Sequence, residues 1–98
     1  MRVYISGKIT GLEYSEVERL FNAAEKKLSK NGFTPVNPLR NNLPMWASWR
    51  EHMKKDIQIL LSCDAIFMLD NWKDSKGATL ERHIAEQLGM IIFGQLRK

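Results

Sequence analysis

The chain has 98 residues and a mass of 11.4 kDa, with 44% hydrophobic and 27% charged residues. Those proportions suit one packed core and exclude a disordered, collagen-like or disulfide-stapled chain. Net charge is +4 but dispersed, with seven basic and four acidic residues in 1–49, eight and seven in 50–98, and no basic run longer than two. A nucleic-acid polymer is therefore not the expected partner, whereas a small anionic ligand fits the mild excess. The single Cys63 excludes an internal disulfide and points to a reducing, cytoplasmic compartment. No apolar run approaches the ~18 residues of a membrane span. The opening residues are too short in apolar character for a signal peptide.

Residues 2–6, Arg-Val-Tyr-Ile-Ser, read as a strand closed by a loop from Gly7 to Gly11. Ser15-Glu16-Val17-Glu18 has the form of a capping box. Val17, Leu20, Phe21, Ala24 and Leu28 then mark one helical face, ended by Asn31-Gly32. Residues 33–36 predict a weak strand, which Pro35 confines to an edge. After a loop from Asn37 to Pro44, a second helix is expected to carry Trp46, Trp49, Met53, Ile57, Leu60 and Leu61. Residues 64–69 form a nearly unbroken apolar run, as a strand buried on both faces would. A polar loop, a third helix stopping at Gly89, and a strand over 90–93 complete the chain.

This alternation predicts an α/β fold, a small flavodoxin-like or Rossmann-like three-layer sandwich. Its parallel sheet should have four strands, or five, in the order 2-1-3-4. Such sheets bind ligands beyond the carboxyl ends of the strands at the switch point, here between the first and third strands. The Gly7–Gly11 and Asp70–Gly77 loops meet there.

Ser75-Lys76-Gly77-Ala78 opens the third helix, where free amides and the helix dipole favour an anion. Ser75 either caps this helix or binds a phosphate, and Glu81 is either a pocket carboxylate or a favourable charge near a helix start. Asp56 falls within the apolar stripe of the second helix, with His52 one turn earlier. A carboxylate there pairs, hydrogen-bonds or holds a raised pKa, in a structural or a catalytic role. Tyr4 lies three residues before Gly7. Lys8 is either an anion partner or a solvated turn lysine. Asn37 either reads a substrate hydroxyl or forms an Asx turn. Trp72 could stack over a base or sugar. Asp64, at the amino end of its strand, reads as structural. No metal is expected, because His52 and His83 share no ligand spacing with a cysteine. No cofactor is implied either.

In chain order, Tyr4-Ile5-Ser6-Gly7-Lys8-Ile9-Thr10-Gly11, Asp56-Ile57 with Cys63-Asp64-Ala65, and Ser75-Lys76-Gly77-Ala78 with Glu81 resemble the nucleoside 2-deoxyribosyltransferase-like superfamily. The similarity is to its short-chain branch, labelled a domain of unknown function, and one such domain is expected to span residues 1–98. The resemblance implies cleavage or exchange of the N-glycosidic bond of a nucleoside or nucleoside 5′-monophosphate. Glu81 would be the nucleophile, with Tyr4 and Asp56 orienting it and managing protons at the leaving base. Substrate contacts would come from Ser6, Gly7, Lys8, Asn37, Ser75 and Gly77. The alternative is a catalytically inactive nucleotide-binding module with a regulatory or phage-related role. Two departures bear on that choice. Lys8 and Thr10 stand where a nucleotide hydrolase of the group has serine and arginine, and longer relatives carry C-terminal segments that complete a neighbour's site. Trp46, Trp49 and Met53 exceed what so small a core is expected to bury, so a homodimer or tetramer is expected.

Overall fold

The computed structural model describes residues 1–44 and 46–94. Its elements are β1 (Arg2–Ser6), α1 (Tyr14–Lys30), β2 (Thr34–Val36), α2 (Trp49–Leu61), β3 (Ala65–Met68), α3 (Lys76–Gln87) and β4 (Ile91–Gly94). Single 3-10 turns at Pro38–Arg40 and Trp72–Asp74 precede α2 and α3. The described residues form one four-stranded sheet in the order β2-β1-β3-β4, with every pairing parallel. This is the expected order. β2 is an edge strand, so the missing Pro35 amide leaves no ladder partner unmatched.

Strand alternation distributes the core between two layers. Val3 and Ile5 of β1 face α1 and pack with Val17, Phe21, Ala24 and Leu28, joined by Ala65 and Phe67 of β3. Tyr4 faces the opposite way, into a second cluster with Leu60 of α2, Ile66 and Met68 of β3, and Ala78 and Ala85 of α3. Because side chains repeat every second residue, Tyr4 and Ser6 share this second face. The chemistry of the site begins with that parity.

Two expectations about helix starts are corrected. Glu13 is the N-cap of α1, with extended backbone and no side-chain cap bond, so Ser15 lies inside the helix and forms no capping box. The Ile9–Leu12 turn delivers the chain to Glu13, whose carbonyl accepts the Glu16 and Val17 amides. The capping box belongs instead to α2. There the Ser48 hydroxyl accepts the Glu51 amide at 3.1 Å, and the Glu51 carboxylate accepts the Ser48 amide at 3.0 Å. Consequently α2 begins at Trp49, and Trp46 precedes it, 87% exposed. Met53 is buried, contrary to the expected surplus. Asp64 ties the amino end of the sheet, accepting the Arg2 amide at 2.9 Å.

Candidate functional site

At the carboxyl ends of β1 and β3 the chain encloses a cavity of about 700 Å³. Its walls come from β1 and the loop after it, Tyr14 and Phe21 of α1, residues between Pro38 and Leu43 together with Ala47, α2, and the first turns of α3. Gly7 makes this geometry possible. A Cβ at that position would lie 2.5 Å from Leu69 Cδ1 and 2.9 Å from Leu69 Cβ, so only glycine lets the two loops touch. The approach is reinforced by the Leu69 amide on the Ser6 carbonyl (2.8 Å) and the Lys8 amide on Asn71 Oδ1 (2.9 Å).

Glu81 lies in the second turn of α3, on its inner face, and is 5% exposed. Both carboxylate oxygens are engaged by neighbouring residues of one strand face. The Tyr4 hydroxyl donates to Oε2 at 2.7 Å and the Ser6 hydroxyl to Oε1 at 2.7 Å. Burial first, and the nearby Asp56 second, push its pKa up to about 7 against the pull of those two donors. The Tyr4 hydroxyl is itself pushed well above its ordinary value, by burial first and then by Glu81 and Asp56. Neutral pH therefore holds Glu81 close to its midpoint, beside a phenol that stays protonated.

Asp56, 6% exposed, reaches the same cavity from α2. Burial raises its pKa, opposed by the Asn41 side chain, which donates to Oδ1 at 2.9 Å, and by His52. Three residues sequence reasoning brought together, Tyr4, Asp56 and Glu81, thus line one cavity from three different elements.

The remaining candidates divide. Gly7, Lys8, Ser75 and Gly77 line the cavity. The Ser75 hydroxyl accepts the Ala78 amide at 3.0 Å as the cap of α3. Gly77 passes under α2, where a Cβ would stand 3.0 Å from Met53 Sδ and 3.6 Å from Trp49 Nε1. Ser6 is 1% exposed and directs its hydroxyl at Glu81. Asn37 stands outside the cavity wall and caps the 3-10 turn, its Oδ1 accepting the Leu39 amide at 3.0 Å. Trp72 is also outside it, packed into the second core cluster under the Arg82 guanidinium, 4.8 Å from its ring centre. Stacking on a substrate base is not open to it there.

Sequence reasoning missed Asn41, which is buried and touches both Asp56 and His52. A signal was available in the Asn41-Asn42 pair between Pro38 and Pro44, since Asn42 takes the left-handed conformation (φ 66°) that asparagine tolerates. It also missed the Lys76 ammonium over the Trp49 ring, 4.5 Å from its centre, at the cavity wall. Among the described residues, no group of three or more His, Cys, Asp or Glu side chains could hold a metal ion. No helix among them is long and apolar enough to cross a membrane.

Residues 1–93 match the family described as a domain of unknown function (DUF4406). The chain belongs to this family. The whole described α/β unit of this DUF4406 domain, cavity included, lies within the match apart from Gly94. Among solved structures it is similar to a 2-desoxiribosyltransferase from Leishmania mexicana, with a TM-score of 0.72 at 20% identity. The alignment covers 95% of this chain and 62% of that protein. At that identity the likeness is one of fold, and the DUF4406 domain shares the nucleoside deoxyribosyltransferase fold. No curated protein matches the chain.

Proposed function

We propose that the protein breaks or exchanges the N-glycosidic bond of a nucleoside or nucleoside 5′-monophosphate, with Glu81 as nucleophile. The observation that carries this reading is the buried Glu81 carboxylate, held at both oxygens by Tyr4 and Ser6 and facing a cavity that also contains Asp56. Each carboxylate oxygen accepts one hydrogen bond and keeps a lone pair. One oxygen attacks the anomeric carbon as the C–N bond breaks, and the electron pair of that bond leaves with the base nitrogen. Asp56, its pKa raised by burial, supplies the proton that neutralises the departing base. The resulting glycosyl ester is opened by water in hydrolysis, or by a second base in exchange, with the Asp56 carboxylate taking up the proton. Tyr4 and Ser6 spread the charge that returns to Glu81 when the ester is released.

Incubation with a panel of ribo- and deoxyribonucleosides and their 5′-monophosphates should release free base from at least one of them. Saturable binding without release from any of them would assign the cavity to nucleotide binding alone.

The same reading includes assembly as a homodimer or tetramer. It is supported by Trp46 and by Trp49, 41% exposed, which flank the cavity-lining Ala47 and leave a large aromatic surface in water. Sedimentation should give a dimer or tetramer at roughly tens of micromolar, where weak interfaces begin to fail. A monomer at that concentration removes this part of the reading.

A further inference from the structure

Asn41 has every polar atom of its side chain assigned. Its Oδ1 accepts the Leu43 amide at 3.0 Å. Its Nδ2 lies 3.1 Å from His52 Nδ1 and 2.9 Å from Asp56 Oδ1. The opposite orientation of the amide would turn a donor toward the Leu43 N–H and an acceptor toward a carboxylate, so the backbone amide fixes which way Asn41 points. His52 is fixed in the same way. Its Nε2 is 3.1 Å from the Pro44 carbonyl, which only accepts, so Nε2 carries the proton and Nδ1 is bare. The bare nitrogen takes one Asn41 N–H, and the other N–H is left for Asp56 Oδ1.

The consequence falls on Asp56. Oδ1 is occupied by a donor, which disfavours a proton there. Oδ2 has no hydrogen-bond partner among the described residues, on a side chain that lines the cavity. We propose that Asn41, oriented by His52 and the Leu43 amide, is a positioning residue that keeps the acidic proton of Asp56 on Oδ2, presented to the departing base. This rests on the glycosidic reading of the site. The titratable groups around Asp56 are His52 of its own helix, and Tyr4 of β1 and Glu81 of α3, both of which Asp56 pushes up in pKa. The segment that holds Asn41 contributes only amides and carbonyls to the network.

Two measurements test it. In the first, the Asp56 carboxyl is titrated by NMR in the wild type and in Asn41→Ala. Losing the donor on Oδ1 should raise the midpoint by about one pH unit. An unchanged midpoint overturns the proposal, whether or not a substrate has been found. In the second, turnover of a cleaved nucleoside is compared with that of the para-nitrophenyl glycoside of the same sugar, whose phenolate departs without a proton. Asn41→Ala should lower kcat on the nucleoside roughly 10- to 30-fold with little change in KM, and leave the phenolate substrate within about two-fold. Equal losses on both substrates overturn the proposal, because a merely structural residue would not distinguish them. The His52 pair serves if Asn41→Ala does not fold. His52→Asn keeps an acceptor near the Nδ1 position and should retain turnover, whereas His52→Leu should repeat the substrate-selective loss. Identical behaviour of the two His52 variants is the contrary result. Failure to release base from any nucleoside defeats the glycosidic reading alone, and the Asp56 titration then decides whether Asn41 sets the proton.

Discussion

Replacing Glu81 by glutamine should lower base release by about 10³-fold or more while the protein remains folded, because the variant has lost the attacking group and nothing else of its size or shape. The local structure supports so clean a comparison. Tyr4 and Ser6 each place a hydroxyl 2.7 Å from a Glu81 oxygen, and a glutamine amide can accept from one and donate to the other after that hydroxyl rotates. The cavity keeps its lining, so substrate affinity should change far less than kcat. The wild-type rate carries a second signature. Glu81 attacks only when ionised, and its carboxyl titrates at about 7. The value of kcat/KM should therefore be bell-shaped in pH, because an ionised Glu81 and a protonated Asp56 are needed together. Full activity of Glu81→Gln, or a profile flat between roughly pH 5 and 8, would remove Glu81 from the role of nucleophile.

The same substitution should make the protein more stable at alkaline pH. Burial lifts the Glu81 carboxyl from its ordinary 4.5 to about 7, so between those values the folded chain holds a proton that the unfolded chain has released. Where the folded state binds more protons, raising the pH removes stability. The loss begins near 4.5 and is complete above about 7, where a charged carboxylate sits in the core. At 1.36 kcal/mol per pH unit this amounts to about 3 kcal/mol. Glutamine is neutral throughout and escapes it. Chemical denaturation of wild type and Glu81→Gln from pH 4 to 8 should show a stability difference that shifts in favour of the variant by about 3 kcal/mol. A difference independent of pH would mean that Glu81 titrates near its ordinary value, and the poised carboxylate on which the glycosidic reading rests would be lost. Together the two results describe a residue that destabilises the fold at neutral pH and is retained for what it can do there.

Much of this architecture is legible in the order of residues. Short apolar runs alternating with 3.6-residue periodicity give β-α-β-α-β-α-β, and the handedness of parallel crossovers then leaves few arrangements besides β2-β1-β3-β4. That topology names the two loops that meet at the switch point. Asp56 also announced itself, since a carboxylate inside an apolar stripe lacks water and has to find a partner or a proton. Local patterns with two matches were another matter. Ser-x-x-Glu occurs at Ser15 and at Ser48, and only the second makes the reciprocal bonds, because the chain is extended at Ser48 and already helical at Ser15. Asn37 and Asn41 are equally plausible loop asparagines in the sequence. The 3-10 turn at Pro38–Arg40 absorbs the first as its cap and swings the second beneath His52 and Asp56. Trp72 is half-buried against the second core cluster with the Arg82 guanidinium over its ring, a contact ten residues on that no loop composition announces.

The parity of β1 was readable from its alternation, but its meaning was not. Tyr4 and Ser6 share a face because strand side chains alternate, and Glu81 meets both because α3 crosses that face. They are 77 and 75 residues away along the chain. Short-range patterning sets which face each side chain takes, since backbone geometry repeats every two or 3.6 residues. Which faces then meet, and so which carboxyl loses its water, depends on packing between elements far apart in the chain. No local pattern carries that information.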